Sequence, residues 1–208
     1  HYAVHSGPEG IRHGFNVNPS KKDLYETYLP AFKALIQESK VESVMSAYNS
    51  VYDSPATGSH YLLTEILRDE WGFKGHIVSD NGAVEDINTG HHKAEDYAEA
   101  VAKSLKAGCD LDGGAAYEHL KEALDRGLVS EEDIDRSLLI LFMTRLKLGI
   151  LLPDDYSPYK EAAEEVICCK KHSDIALEAA RKSMVLIKND GLLPLKKDIA
   201  SVYVGGAF

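Results

Sequence analysis

Trp71-Gly72-Phe73-Lys74-Gly75-His76-Ile77-Val78-Ser79-Asp80 decides how the rest of the chain is read. Ahead of it Leu62, Leu63, Ile66 and Leu67 recur at three- and four-residue spacing, the signature of an amphipathic helix over Tyr61 to Glu70, and Gly72 stops the run. His76 to Ser79 then reads as a short apolar strand that delivers a carboxylate, Asp80, to its own C-terminal end. Alternating helices and strands imply a parallel sheet, and in parallel α/β folds chemistry collects beyond the carboxyl ends of the strands. Asp80 is therefore the leading catalytic candidate. Its competing role is structural, as the N-cap of a helix starting near Val84.

The same rhythm extends to both sides. His1 to Pro19 has loop composition, with Gly7, Pro8, Gly10 and Gly14 among His, Arg and Asn residues. From Ser20 an amphipathic stripe of Leu24, Tyr28, Ala31, Phe32, Leu35 and Ile36 predicts a helix that Pro30 bends or divides. Val44 to Asn49 reads as a buried strand, followed by a turn through Asp53, Pro55 and Gly58. A helix from about Glu95 to Ala107 leads through Gly108 into a very short strand, Cys109 to Asp112, and then Gly113-Gly114. Three strand-helix units at this spacing suit a (β/α) barrel or a doubly wound sheet. Helices then take over, from Tyr117 to Arg126 and from Ser130 to Gly149, the second opening on a Ser130/Asp133 capping pair. Ile150 to Tyr159 has prolines and no periodicity and reads as the start of a linker. A helix over His172 to Lys182 follows, and Ala200 to Gly206 predicts the first strand of another α/β unit.

The 208 residues, 44% of them hydrophobic, can bury a substantial core. With 23 basic against 33 acidic residues the net charge is -10, and no basic run interrupts it, so a nucleic-acid partner is not expected. No apolar run approaches bilayer-spanning length, so no membrane partner is expected either, and no export leader is visible in a chain that opens inside a motif. Cys109, Cys168 and Cys169 lack metal or disulfide spacing. Adjacent His91 and His92 diverge in any regular backbone, so neither a metal nor another cofactor is expected.

Taken in order, Val44-Met45-Ser46-Ala47-Tyr48-Asn49, then Leu62-Leu63 to Trp71-Gly72-Phe73 and Gly75, then Val78-Ser79-Asp80, then Ala107-Gly108 with Asp110-Leu111, resemble the family 3 glycoside hydrolases, the β-glucosidases and β-xylosidases. The likeness continues through Gly127-Leu128-Val129-Ser130, Asp133-Ile134-Asp135 and Ser183-Met184-Val185-Leu186-Ile187-Lys188-Asn189-Asp190 to Leu193-Pro194-Leu195, so it covers nearly the whole chain. It implies an α/β fold: the second half of a (β/α)8 TIM-type barrel over 1–149, a linker over 150–170, and the first elements of an α/β sandwich domain over 171–208. It implies Asp80 as nucleophile of a retaining exo-β-glycosidase, with Met45 and Tyr48 lining the subsite of the sugar that is cleaved off and His1 on a ring hydroxyl. The family's general acid/base is a glutamate of the second domain, beyond Phe208, and the lysine that pairs with His1 would precede this sequence. The partner implied is a β-linked oligosaccharide or glycoside, with a missing N-terminal half-barrel and C-terminal domain supplying the rest of the site. Such enzymes commonly meet substrate outside the cytoplasm, which makes a periplasmic or extracellular setting the expectation.

The chemistry suits the residue types. A retaining glycosidase needs one carboxylate to attack the anomeric carbon and a second carboxyl about 5 to 5.5 Å away to protonate the leaving oxygen. Asp80 can supply the first, held at a rigid strand end. Arg12, beside His13 in the opening loop, is a candidate for gripping hydroxyls or bracing a carboxylate, with a surface pair as the alternative. Asp110 and Asp112 read as capping groups ahead of Gly113-Gly114, and Glu9 as solvated. The Asp-His dyad of the β-N-acetylhexosaminidase branch is not found in His5 to Gly10. Two other classes stay open: a catalytically inactive carbohydrate-binding homologue, and a phosphate-binding barrel resting on Gly113-Gly114 ahead of a helix.

Overall fold

The computed structural model describes residues 1–4, 8–153, 156 and 164–206. They form two units, His1–Pro158 and Tyr159–Phe208, each taken by itself. His5, Ser6 and Gly7 of the opening loop, and residues 154, 155 and 157–163 of the expected linker, lie outside the described residues.

In the first unit a short strand β1, Asn16–Val17, precedes one continuous helical run: α1 over Lys21–Asp23, π turns over Leu24–Tyr28 and α2 over Pro30–Gln37. Ser20 caps it, its Oγ accepting from the Asp23 amide at 3.0 Å. Pro30 neither breaks nor sharply divides the run. It sits at the first position of α2, where a missing N–H costs nothing, and the turn before it widens so that the Leu29 amide reaches back five residues to the Leu24 carbonyl at 3.0 Å.

Strand β2 is Ser43–Met45, shorter than the expected run to Asn49. Just beyond it the Ser46 amide still bonds the Val78 carbonyl at 2.9 Å, and polar side chains then anchor the chain: Ser46 Oγ lies 2.6 Å from Thr57 Oγ1, and Asn49 Nδ2 donates to the Val4 carbonyl at 3.0 Å. Strands β3, Ser50–Val51, and β4, Ser54–Pro55, form a tight hairpin whose turn residues Tyr52 and Asp53 both hold positive φ, 53° and 62°. A π-helix over Tyr61–Glu70 buries Leu62, Leu63, Ile66 and Leu67, and the last strand among the described residues, β5, is His76–Val78. Helix α3 spans Glu85–Thr89, and α4 spans Tyr97–Ala107, with Asp96 as its cap. A 3-10 turn at Ala116–His119 runs into α5, Leu120–Asp125, and α6 covers Glu131–Lys147 behind a reciprocal Ser130/Asp133 capping box.

β2 and β5 are parallel, with Val44 opposite Ile77, and Val78 bridges in parallel to Leu111 on the far side. On the near side the Tyr2 amide donates to the Met45 carbonyl at 2.8 Å. Three neighbouring segments thus end on one rim, carrying the chain after Met45, Asp80 and Asp112, and His1 lies beside them. Glycine is required at position 75, because a Cβ there would collide with the Glu42 carbonyl beside the β2–β5 pair. Val44 and Ile77 pack with Tyr2, Trp71, Phe73 and Cys109 against the π-helix to make the main core. Burial pushes the Cys109 thiol up to about 12, so it serves as packing.

The second unit contains a 3-10 turn at Glu164–Val166 and helix α7, Lys170–Ser183. The strand expected over Ala200 to Gly206 is not formed among the described residues. A strand exists through its ladder partner, and here Val202, Tyr203 and Val204 stay 67%, 94% and 72% exposed.

Candidate active site

Asp80 leaves β5 at the strand's carboxyl end. Its Oδ1 accepts from the Asn81 amide of its own turn at 2.7 Å, and its Oδ2 meets Nε2 of His1. It does not cap α3, whose N-terminus at Val84 has no side-chain cap bond. Tyr48 comes from the segment after β2 and is 6% exposed, with its hydroxyl donating to the Asn81 carbonyl at 2.9 Å. Burial, and then the charge of Asp80, push the Tyr48 phenol above its ordinary range, which keeps it a proton donor.

Three basic side chains crowd the Tyr48 ring. The His1 ring centroid lies 5.9 Å away, that of His13 4.5 Å away, and the Arg12 guanidinium carbon 4.5 Å from the ring centre. The loop holding Arg12 and His13 can lie this close because Gly90 faces the His13 carbonyl, where any Cβ would collide. Arg12 does not reach for Asp80: its two terminal nitrogens fork onto Glu9 at 3.0 Å each, so Glu9 carries a partner although its side chain is largely exposed. His13 Nδ1 lies 2.6 Å from Asp86 Oδ2. Met45 is more than a third exposed and shares with His1, Phe32 and Val41 a small cavity of about 150 Å³.

The structure therefore gathers Asp80, His1, Tyr48 and Arg12 within one cluster and leaves Met45 on the other flank of His1. It adds Asn81 and Asp86, which no local pattern singles out, and His91, which the sequence offers only as half of a poor metal-ligand pair. His91 turns both ring nitrogens inward, Nε2 at 2.7 Å from the Tyr48 carbonyl and Nδ1 at 3.0 Å from Ser50 Oγ. Among the described residues no group of three His, Cys, Asp or Glu could hold a metal, and no helix is long and apolar enough to cross a membrane.

Asp110 is structural, accepting from the Ile77 amide at 2.8 Å and from Arg68 at 2.7 Å. Asp112 takes the amides of Gly114 and Tyr117 at 2.9 and 3.1 Å. With Gly113 N–H on Ser79 Oγ and Ala115 N–H on Glu85, these four amides are already used, and by two carboxylates among others. An anion would be repelled there, which removes the footing of the phosphate-barrel alternative.

A parallel α/β layer thus carries an aspartate at a strand's carboxyl rim, with the His1 imidazole on one of its oxygens and the Tyr48 phenol, overlaid by Arg12, beside it. Residues 1–141 match the model of the glycosyl hydrolase family 3 N-terminal domain. The chain is 40% identical to a xylan 1,4-β-xylosidase of Xylanibacter ruminicola, over 99% of this chain and 24% of that protein, and 41% identical to a probable β-D-xylosidase 7 of Arabidopsis thaliana, over 94% and 26%. In structure it resembles a GH3 exo-β-xylosidase determined with a xylobiose aziridine probe (TM-score 0.88, 34% identity, 97% of this chain and 27% of that one). It also resembles a Listeria innocua β-glucosidase bound to isofagomine (TM-score 0.80, 35% identity, 94% and 27%). The chain belongs to glycosyl hydrolase family 3, and its first unit has that family's TIM-barrel type of α/β fold. It spans about a quarter of the length of these relatives.

Proposed function

We propose that this chain is part of a retaining exo-β-glycosidase that removes terminal β-D-xylosyl or β-D-glucosyl residues, with Asp80 as the nucleophile. On this reading residues 1–149 are the second half of a (β/α)8 barrel, 150–170 a linker and 171–208 the beginning of an α/β sandwich domain. The names of the relatives favour β-xylosides, while β-glucosidases among the structural neighbours keep glucosides within the class.

The observation that carries the proposal is the seat of Asp80: a carboxylate at the end of a buried parallel strand, with an imidazole on one oxygen and a backbone amide on the other. A nucleophile so held has one approach line and loses little entropy on attack. In the proposed reaction Asp80 Oδ attacks the anomeric carbon as the glycosidic bond breaks, and a carboxylic acid from the following domain protonates the departing oxygen. Water activated by the same group then cleaves the glycosyl-aspartate ester and returns Asp80 free. His1 would hydrogen-bond a ring hydroxyl, Tyr48 would steady the carboxylate during the exchange, and Arg12, laid across Tyr48, would border the subsite with Met45.

Treating the full-length enzyme with a 2-deoxy-2-fluoro β-xyloside or β-glucoside should trap the ester, and peptide mass spectrometry should place the sugar on Asp80. Asp80→Ala should lower kcat on the order of 10⁴-fold, as loss of a covalent catalyst does. A label on another residue overturns the assignment, and sugar binding with neither label nor turnover would point to an inactive binding homologue.

A further inference from the structure

His91 lies two residues past the end of α3, on the chain that begins at Asp80, and it reaches across to the chain that carries Tyr48. Its own amide is fixed on the Asp86 carbonyl at 2.7 Å, so the backbone that positions the ring is itself tied down. A carbonyl oxygen can only accept, so the 2.7 Å contact to the Tyr48 carbonyl requires the proton on Nε2. Nδ1 lies 3.0 Å from the Ser50 hydroxyl oxygen. One ring thus bonds two groups that flank Asn49 and couples them to the segment that carries Asp80.

The coupling has a direction. The Tyr48 hydroxyl bonds to the Asn81 carbonyl, one residue past Asp80, while the backbone of Tyr48 is bonded to His91, eleven residues past Asp80. The Asp80 segment therefore holds Tyr48 at both ends, by its ring tip and by its main chain. A shift of the Tyr48 main chain of a few tenths of an ångström is passed to the phenol, because the ring is rigid, its hydroxyl is held on the Asn81 carbonyl, and the side chains of Arg12 and His13, 3.4 Å from each other, lie against it.

We propose that His91 is a positioning residue of the glycosidase site, setting the Tyr48 hydroxyl against Asp80 through the Tyr48 carbonyl. The inference rests on the glycosidase reading above. It differs from a general structural role because its effect on the reaction passes through one phenolic oxygen.

The test is a double-mutant cycle in the full-length enzyme with an aryl β-xyloside, reading kcat, KM and Tm. His91→Ala should lower kcat by about tenfold, the scale of one well-placed hydrogen bond, with a smaller change in KM. His91→Gln, whose amide nitrogen can stand where Nε2 stood, should recover most of that loss. His91→Phe keeps the ring's bulk without its nitrogens and should match His91→Ala, which separates the hydrogen bonds from any cavity. In a Tyr48→Phe background, His91→Ala should cost little further kcat, since the group it positions is gone. Full additivity of the two substitutions, equal loss in the Gln and Ala variants, or an unchanged kcat in Tyr48→Phe overturns the role of His91 while leaving the enzyme a glycosidase. Absence of turnover by the unsubstituted enzyme overturns the glycosidase reading, and the role of His91 with it.

Discussion

Arg68 and Asp110 make a largely buried ion pair, 2.7 Å apart. Asp110 has only 1% of its side chain exposed, and burial pushes its carboxyl above the ordinary range even though Arg68 and the Ile77 amide pull the other way. Removing Arg68 would leave a buried charge without its counterion, so Arg68→Met is expected to destabilise the fold by about 3 kcal/mol at neutral pH. The pH dependence has a definite sign. A carboxyl with a raised folded pKa binds its proton more readily folded than unfolded, so stability falls as pH climbs from the unfolded toward the folded value. Without Arg68 that rise grows, and the deficit of Arg68→Met should shrink between about pH 7 and pH 5, measured as the Tm difference from the unsubstituted protein. A deficit independent of pH would mean that Asp110 is not the group responsible. Placement is legible where it depends on local position: the seat of Asp80 at a strand's carboxyl end is marked by the ten residues from Trp71. The places of His13 and His91 are not, because their partners lie 73, 41 and 43 residues away and no spacing within the chain encodes that meeting.

At the scale of elements, apolar periodicity locates the helices over Tyr61–Glu70 and Tyr97–Ala107, where a buried stripe leaves its trace at three- and four-residue intervals, whereas the apolar positions of α6 stay largely exposed. Pitch is not written in that trace. The π turns at Leu24–Tyr28 and Tyr61–Glu70 carry ordinary amphipathic patterns, and the wider winding shows only in the five-residue reach of amides such as Trp71 to Ile66 at 3.0 Å. Strand ends are equally hidden: the Ser46 amide still bonds the Val78 carbonyl at 2.9 Å, while Asn49 is held by the Val4 carbonyl, a partner distant in sequence. Helix starts, in contrast, are local. The Ser130 amide donates to Asp133 Oδ2 at 3.1 Å and Ser130 Oγ accepts from the Asp133 amide at 3.2 Å. The Ser130 amide, ahead of other donors, holds the Asp133 carboxyl below its ordinary range. A lowered folded pKa gives stability that is present above the ordinary carboxylate range and lost as pH falls through the folded value. Asp133→Asn should therefore cost about 1 kcal/mol near neutral pH. It should also flatten the acid limb of a Tm-against-pH profile, and an acid limb of unchanged steepness would assign the acid sensitivity to other carboxylates.

For the molecule as a whole, the decisive quantity is the apolar surface that these residues leave uncovered. Helix α6 exposes Leu139 to 65%, Phe142 to 42% and Met143 to 47%, and Ile187 in the second unit is 93% exposed. Scattered apolar side chains on a surface are ordinary, but several on one face of one helix make a patch of the kind that single folded domains cover. The sheet adds to this, because a few parallel segments with β2 and β5 at their centre have open edges that a closed barrel would not have. The net charge of -10 opposes association only over a Debye length of about 8 Å at physiological salt, and it cannot offset buried-type surface once chains touch. The 208 residues expressed alone are therefore expected to self-associate at micromolar concentration in sedimentation velocity, more so as salt is raised. On the proposed reading, in which Asp80 is the nucleophile and the acid/base belongs to the following domain, they should hydrolyse no aryl β-xyloside. A stable monomer would show that α6 and the strand edges need no cover, and measurable turnover by this chain alone would place the acid/base within it.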